Sequence, residues 1–599
     1  MGDILRVNMS DLSITREPLP EKWARYGGRA LTDAIVFAEV PPDADPLGPE
    51  NKLVIAPGSL GGTTGPNTGR LSIGAKSPLT GGIKESNSGG TAAHALARMG
   101  VSAIIIEGEP EDKLGRYVLR LFADGKVDIV HRHDLAGLGT YETVAVAKGI
   151  EAAEHRMSEK SSFILVGPSG EMGMKAAGIA VTDPAGYPNR FAGRGGLGAV
   201  MGSKGLKLIA IFYEGLGATE HADKDAFNAA SKKFGAALRE HAVTGQGLPT
   251  YGTNVLANII NEAGGYPTNN FALGQFEGVD GISGETMREI TVERGGNVKH
   301  GCHAGCVIQC SRYYVDKDGH YKTKGPEYET AWSLGADCGI SDMDAVAELD
   351  RECGDLGLDT IEMGVTLGVY MDSGKIAFGD ADAAMAALKE IRKGSELGKI
   401  LGDGAEATGL AFGVKRIPVV KHQGLPAYDP RPIQGIGVTY ATSTMGADHT
   451  AGYTITANVL GVGGNVDPLK PEGQAELSQG LQIATAMLDS LGLCIFVAFA
   501  VLDIPAAFEA IGEMMSAHTG ETWGADELMG LGKEVLTMER LYNDAAGFTA
   551  ADDRLPAFFY EDKLPPHDVV FTVTDAELDS VYSFVPETAA AMGITKPGS

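Results

Sequence analysis

Residues 302 to 310 read Cys-His-Ala-Gly-Cys-Val-Ile-Gln-Cys, so Cys302, Cys306 and Cys310 fall close together in a chain with only six cysteines in 599 residues. Thiolates this close can share a metal centre. Cys494, far along the chain, would complete a four-thiolate shell of the kind that holds an iron–sulfur cluster. Two other readings of the spacing stand beside it: structural zinc, or small apolar side chains on one buried helical face. Cys494 ends Asp489-Ser-Leu-Gly-Leu-Cys494, a near-copy of Gly354-Asp-Leu-Gly-Leu-Asp359. Each copy lies at the end of a predicted helix, where Gly357 and Gly492 read as helix-terminating glycines. Two copies, one carrying the isolated cysteine, also suit a paired ligand site.

Two glycine-rich stretches could hold anions. Gly193-Arg-Gly-Gly-Leu-Gly198 fits the dinucleotide fingerprint by letter only. No strand is predicted to end before it, because Asp183 to Phe191 reads as a loop, and the following helix could span only Gly198 to Gly202. The same stretch reads better as a flexible loop, in which Arg190, Arg194 and free backbone amides would converge on a phosphate. The second candidate is Ser86-Asn87-Ser88-Gly89-Gly90, opening a helix near Thr91. A solvated surface loop is the plain alternative for both.

These residues must be positioned by several domains, since the chain exceeds one hydrophobic core. To about residue 212 the pattern is mostly strands: Asp3–Met9, Lys52–Ala56, Arg70–Ala75, Ser102–Glu107 and Leu206–Phe212 are rich in Val, Ile and Leu. Arg116–Phe122 and Lys126–His131 flank Asp124-Gly125, the chemistry of a two-residue hairpin turn. Helices are predicted at Thr91–Met99 and Tyr141–His155. Beyond residue 213 helices dominate: Lys224–His241, Asn254–Ala263, Met343–Cys353, Asp380–Lys393, Glu472–Leu488, Ile504–His518 and Ala525–Tyr542. The apolar run Leu491 to Leu502 is too short for a bilayer and reads as a buried helix.

Composition narrows the function. Apolar residues make up 43% of the chain and mean hydropathy is −0.03, as in a globular protein without membrane insertion. A formal charge of −28 argues against nucleic acid and anionic membranes. The first residues carry no export signal, and cysteines are few, so a reducing cytoplasm is expected. With an acidic chain, any acidic electron-transfer partner would need a local basic patch.

Taken together the motifs resemble the tungsten aldehyde:ferredoxin oxidoreductase family over essentially the whole chain. The residues that carry this are Asn51-Lys-Leu-Val-Ile, Lys76-Ser-Pro-Leu-Thr-Gly81, Ser86-Asn-Ser-Gly-Gly90 and Ala192-Gly-Arg-Gly-Gly-Leu-Gly-Ala-Val-Met-Gly-Ser-Lys204. Gly325-Pro-Glu-Tyr-Glu-Thr330, Leu425-Pro-Ala-Tyr-Asp-Pro-Arg431 and Asp489-Ser-Leu-Gly-Leu-Cys494 complete the set. The resemblance implies an α+β fold: a β-rich domain of two related sheets forming a base for a pterin cofactor (1–212), then two mainly helical domains (213–424 and 425–599). It implies tungsten, or molybdenum, held by two pyranopterins beside a [4Fe-4S] cluster on Cys302, Cys306, Cys310 and Cys494. One pterin would meet Asp355, Leu358 and Asp359, and the other Asp489 and Leu493. Arg70 would bridge cluster and pterin. Asn87, Ser88, Gly89, Arg190, Phe191 (through its carbonyl), Gly193, Arg194 and Gly195 would lie around the Mg2+ that joins the pterin phosphates.

The same resemblance implies oxidation of aldehydes to carboxylic acids, with Glu329 as base and His449 as hydrogen-bond partner of the carbonyl oxygen. Glu327 is the rival of Glu329. Electrons would leave to ferredoxin or to a separate iron–sulfur or flavin subunit, in an oligomer or heteromer. The alternatives are the catalytic subunit of a benzoyl-coenzyme A type aromatic-ring reductase and a non-catalytic iron–sulfur or zinc scaffold. Three departures stand out. Three residues separate Cys302 from Cys306, where the best-known members have two. Gly354 replaces the usual aspartate, for which Asp355 or main-chain groups would substitute. Glu348-Leu-Asp-Arg351 replaces a metal-binding Glu-x-x-His, and arginine is no ordinary metal ligand, so no inter-subunit metal is expected.

Overall fold

The computed structural model describes residues 2–112, 116–153 and 160–598. The first 212 residues form two six-stranded mixed sheets. The first contains β1 (Asp3–Asn8), β2 (Ser13–Pro18), β3 (Leu53–Pro57), β4 (Leu71–Lys76), β5 (Ile83–Ser88) and β6 (Val101–Glu107). The second contains β7 (Tyr117–Phe122), β8 (Val127–His131), β9 (Ser161–Leu165), β10 (Ile179–Val181), β11 (Arg190–Ala192) and β12 (Leu206–Phe212). Their orders, β2-β1-β6-β3-β4-β5 and β8-β7-β12-β9-β10-β11, are the same connectivity used twice. Each begins with an antiparallel hairpin, pairs its first and last strands in parallel, and continues antiparallel. The hairpin is not the expected two-residue one: Phe122 N–H donates to the Lys126 carbonyl and Gly125 N–H to the Phe122 carbonyl, so Ala123 to Gly125 turn the chain, with Gly125 left-handed at φ +85°.

The layers follow from which faces are apolar. Helix α1 (Gly28–Glu39) covers the outer face of the first sheet, with Leu31 and Ile35 packed on Ile4, Val54 and Ile105. Helix α3 (Thr140–Ala153) covers the second through Val144 and Ala147; the last residues of the helix predicted there lie outside the described residues. Between the sheets lie two short helices, α2 (Ala92–Arg98) and, after the single turn α4 (Pro168–Glu171), α5 (Leu197–Ser203). Strands β3, β4 and β12 are therefore buried along their whole length, which is why apolar residues dominate them without the alternation of a half-exposed strand. The edge strands β5 and β11 lie side by side, so the two sheets meet along one seam.

Beyond Phe212 the chain is largely helical, and one apolar cluster runs from Phe227 to Val585. The helices Met343–Leu356 and Gln474–Leu491 end at Gly357 (φ +79°) and Gly492 (φ +78°), the left-handed caps expected of them. Each cap docks on an equivalent turn of one sheet. A Cβ on Gly58, just after β3, would fall 2.1 Å from the backbone nitrogen of Gly492. One on Gly167, just after β9, would fall 2.1 Å from the carbonyl oxygen of Leu356.

Several expectations need correction. A strand, β11, does end directly before Gly193; it is a three-residue edge strand held by β10, too short to announce itself. The dinucleotide reading still fails, since that strand is an antiparallel edge and the next helix has only seven residues. Ser86, Asn87 and Ser88 belong to β5 and do not open the helix, which starts at Ala92. The run Leu491 to Leu502 is not one helix. Gly492 ends the preceding helix, a single turn covers Ile495–Val497, and a short helix follows at Ala498–Asp503.

Candidate active site

A cavity of about 940 Å³ opens where the seam between β5 and β11 faces the two glycine-capped motifs. Cys302, Cys306, Cys310 and Cys494 all line it, although the last comes from a different segment from the others. Asn67 ties the segments together. Its carbonyl accepts the Cys494 N–H at 3.0 Å, its Oδ1 accepts the Val307 N–H at 3.0 Å, and its Nδ2 reaches Cys306 Sγ at 3.7 Å. Gly90 N–H donates to the Cys302 carbonyl at 3.0 Å, and a Cβ on Gly89 would fall 3.1 Å from Cys302 Sγ, so the loop passes close against this cysteine. The other two cysteines, Cys338 and Cys353, are buried in the helical core.

The four thiols are held unequally: the hydrogen bond between Cys302 and Cys306 that lowers the first raises the second. A hydrogen bond from Cys306 holds the Cys302 thiol low against its burial, helped by His303, Arg190 and Arg70. Burial pushes Cys310 up, and Cys494 up to about 11, with Arg70 opposing the latter. Arg70 also opposes the upward push of burial on Asp489. It thus faces the cysteines and the second motif together, anchored by two hydrogen bonds to Asn87, one of them 3.3 Å to its carbonyl.

The stretch 189–196 is no flexible surface loop. Arg190 and Arg194 are both buried. Arg190 donates to Ser311 Oγ at 2.6 Å and lies 3.6 Å from Glu327. Arg194 donates to Asp359 at 3.2 Å and to the carbonyls of Gly424 and Ala447 at 2.6 and 2.7 Å, fastening the first motif to the last third of the chain. Asp359 also caps the helix Thr360–Asp372, accepting from Ile361 and Glu362 N–H at 3.0 and 3.1 Å. Asp489 accepts from Arg29 at 3.3 Å, and Arg29 makes a two-pronged pair with Glu539 at 2.8 and 3.0 Å.

Glu329 and His449 come together in the same cavity. His449 Nε2 lies 3.4 Å from Glu329 Oε1, and Glu329 Oε2 accepts the Ala427 N–H at 3.0 Å. Burial pushes Glu329 up to about 8 and His449 down to about 4. Burial alone would also raise the neighbouring Asp448, but Lys84 and Arg194 hold it well below the usual carboxylate range. Glu327 faces elsewhere: it accepts from Thr253 Oγ1 at 2.9 Å and sits on the Arg190 side.

Of the residues singled out from sequence, Arg70, Asn87, Gly89, Arg190, Phe191, Gly193, Arg194, Leu358, Asp359 and Asp489 line the cavity. Ser88, Gly195 and Leu493 are buried beside lining residues without reaching it. Asp355 is not a substitute for the missing aspartate. It points outward, pairing with Arg392 at 2.9 Å and accepting from Tyr141 N–H at 3.2 Å. Arg351 packs on the Tyr141 ring, 3.3 Å from its centroid. Sequence reasoning missed Asn67, Arg29 and Glu539. Asn67 carries a faint mark in Pro-Asn-Thr-Gly; the other two carry none, being 510 residues apart.

The donor set fits a bound anionic group with a cluster beside it. Four cysteines line one cavity, buried arginines face it, and Arg190 Nε, Glu329 Oε1 and His449 Nδ1 are buried without a hydrogen-bond partner among the described residues. Residues 4–212 match the model "Aldehyde ferredoxin oxidoreductase, N-terminal domain", and residues 229–585 match "Aldehyde ferredoxin oxidoreductase, domains 2 & 3". The chain belongs to the aldehyde ferredoxin oxidoreductase family.

Within this family it is 36% identical to the tungsten-containing aldehyde ferredoxin oxidoreductase of Pyrococcus furiosus, over 94% of this chain and 92% of that protein. The Thermococcus kodakarensis enzyme of the same name shows the same identity and coverage. It is 26% identical to the WOR-like subunit of the Pyrococcus furiosus aliphatic sulfonate oxidoreductase, over 94% and 89%. Its fold is shared with the active site complex BamBC of benzoyl coenzyme A reductase, solved with 1,5-dienoyl-CoA. That match has a TM-score of 0.80 and 18% identity, and covers 99% and 96% of the two chains. The chain is thus an oxidoreductase of this family, and no helix among the described residues is long and apolar enough to cross a membrane.

Proposed function

We propose that this chain oxidises aldehydes to carboxylic acids, RCHO + H2O → RCOOH + 2e− + 2H+. The observation that carries this reading is the partly buried Glu329–His449 pair in a cavity that four cysteines also line. Cys302, Cys306, Cys310 and Cys494 would hold a [4Fe-4S] cluster. Arg70, Asp359, Arg194, Asp489 and the Asn87 and Arg190–Phe191 stretches would hold a tungsten (or molybdenum) bis-pyranopterin with its Mg2+-linked phosphates. When bound, that centre supplies the two-electron acceptor and the cluster a one-electron exit. The three-domain division at 212 and 424 would give the cavity one wall from each domain. Electrons would pass to ferredoxin or to an iron–sulfur or flavin subunit, in a cytoplasmic oligomer or heteromer.

The chain's own residues have distinct tasks. Glu329, as carboxylate, would take a proton from water or from the hydrated aldehyde. His449, neutral above about pH 4, would donate its Nε2 hydrogen bond to the carbonyl oxygen and stabilise the charge developing there. The base form of Glu329 is populated as pH rises through about 8. Aldehyde turnover should therefore climb between pH 6 and 8, about tenfold per unit on the acid side.

The test is anaerobic assay of metal-loaded enzyme with aldehydes and a viologen dye. Glu329→Gln and His449→Asn should each lose about 10²–10⁴-fold with metal retained. Near-normal rates would remove both from the mechanism, and activity confined to aryl thioesters would favour ring reduction. Neither tungsten nor molybdenum after growth with each metal would leave only the scaffold reading.

A further inference from the structure

Beside the four cysteines stands a fifth potential donor, His303. One of its ring nitrogens and the sulfurs of Cys302 and Cys306 lie within 4.8 Å of one another. The ring is buried, with 3% of the residue exposed. Nδ1 faces the Ala304 carbonyl at 2.9 Å, and since a carbonyl only accepts, Nδ1 carries the proton. The same carbonyl accepts from His94 Nε2 at 3.2 Å, and His94 Nδ1 accepts the Gly62 N–H at 2.9 Å. The carbonyl that orients His303 is thus held from a second side.

That leaves His303 Nε2, which is buried and without a hydrogen-bond partner among the described residues. A neutral imidazole whose Nδ1–H donates to a backbone carbonyl presents a bare lone pair at Nε2, the usual arrangement of a metal-binding histidine. The fold also reserves space for the ring, because a Cβ on Gly69 would fall 2.5 Å from its atoms. Spacing agrees: two residues separate His303 from Cys306, whereas three separate Cys302 from it.

We propose that His303 is an iron ligand through Nε2, at the cluster corner it shares with Cys302. The inference rests on the reading above that a cluster is held here. Five protein donors would serve four irons, so His303 would take the corner iron in exchange for Cys302: one Fe–N bond forms and one Fe–S bond breaks. Nε2 carries no proton to lose, and the freed Cys302 thiolate takes up one proton. A neutral nitrogen ligand in place of a thiolate raises the reduction potential.

The test uses anaerobically purified, metal-loaded enzyme labelled with ¹⁵N-histidine, its cluster reduced with dithionite and examined by pulsed electron paramagnetic resonance. The expected result is a histidine-nitrogen coupling of the size of a directly bonded imidazole, lost in His303→Ala. Cys302→Ala should keep four irons per chain, and His303→Cys should lower the midpoint potential. An iron-containing wild-type cluster without that coupling would overturn the proposal, and this spectrum decides even if a variant does not accumulate. A chain that binds no iron and no sulfide would overturn the cluster reading, and this proposal with it.

Discussion

The segments 354–359 and 489–494 occupy equivalent seats and do different work. Each ends a long helix at a left-handed glycine, and each is received by the turn after the third strand of one sheet, at Gly167 and Gly58. Both helix ends also meet the start of a sheet-covering helix: Ser490 Oγ accepts Ala30 N–H at 3.1 Å, and Asp355 accepts Tyr141 N–H at 3.2 Å. The side chains then diverge. Asp489 is paired with Arg29 and, through it, with Glu539. At the other seat Gly354 offers only its carbonyl, which accepts from Thr140 Oγ1 at 2.9 Å. The carboxylate and its arginine are both absent there, so the loss of aspartate is matched across the contact. Backbone fit is common to the two seats, whereas the acid–arginine pair sits at the first residue of one segment (Asp489 with Arg29) and at the last of the other (Asp359 with Arg194).

The seats themselves should be the most sensitive point. Gly58→Ala and Gly167→Ala each put a methyl 2.1 Å from a backbone atom that is itself held in a cap. Each is expected to cost about 4 kcal/mol or more, at the extreme of single substitutions. Thermal unfolding of the two variants side by side measures this. A large loss in one with a neutral result in the other would break the equivalence of the seats.

Charge should separate them next. Arg29→Met strands Glu539 and Asp489 in the interior, where breaking a buried pair costs about 3–5 kcal/mol. Thr140→Val removes one neutral hydrogen bond and should cost only about 1 kcal/mol. Denaturant unfolding of both, at matched cofactor content, reads the difference. Equal losses would mean that Thr140 and Arg29 carry the same load despite their chemistry.

How far the sequence revealed this depends on whether the determinant is local. The place of the hairpin at Asp124-Gly125, though not its length, and the caps at Gly357 and Gly492 were legible, because one residue's backbone freedom decides each of them. The cysteine nonet stood out in the sequence by its spacing, and Cys494 lines the same cavity as its three cysteines. Strands β5 and β11 were not. The first is Ile83-Lys-Glu-Ser-Asn-Ser, buried but polar because it faces the cavity, and the second is three residues long and held only by its neighbour. Asp355 looked like a carboxylate for the site, yet one helical step turns it outward to Arg392. The Arg29–Glu539 pair depends on packing between the two ends of the chain, which no window of sequence displays.

The smallest effect sharpens the comparison most. At Gly354 a Cβ would meet nothing nearer than Phe191 Cε2 at 3.9 Å, so a side chain can begin here without a clash. Gly354→Asp replaces a glycine in the last turn of its helix with a better helix former and places a carboxylate towards the cavity. Facing the cavity without an arginine to meet it, that carboxylate gains little, and stability should change by no more than about 1 kcal/mol, the helix gain offsetting part of its burial. Adding Thr140→Arg supplies the missing partner and would rebuild the other seat's charge pair here. Pterin content per chain, measured after acid release and oxidation, should then equal or exceed that of the parent. A fall in pterin content for Gly354→Asp alone would mean that the empty space at this seat is itself needed by the bound group.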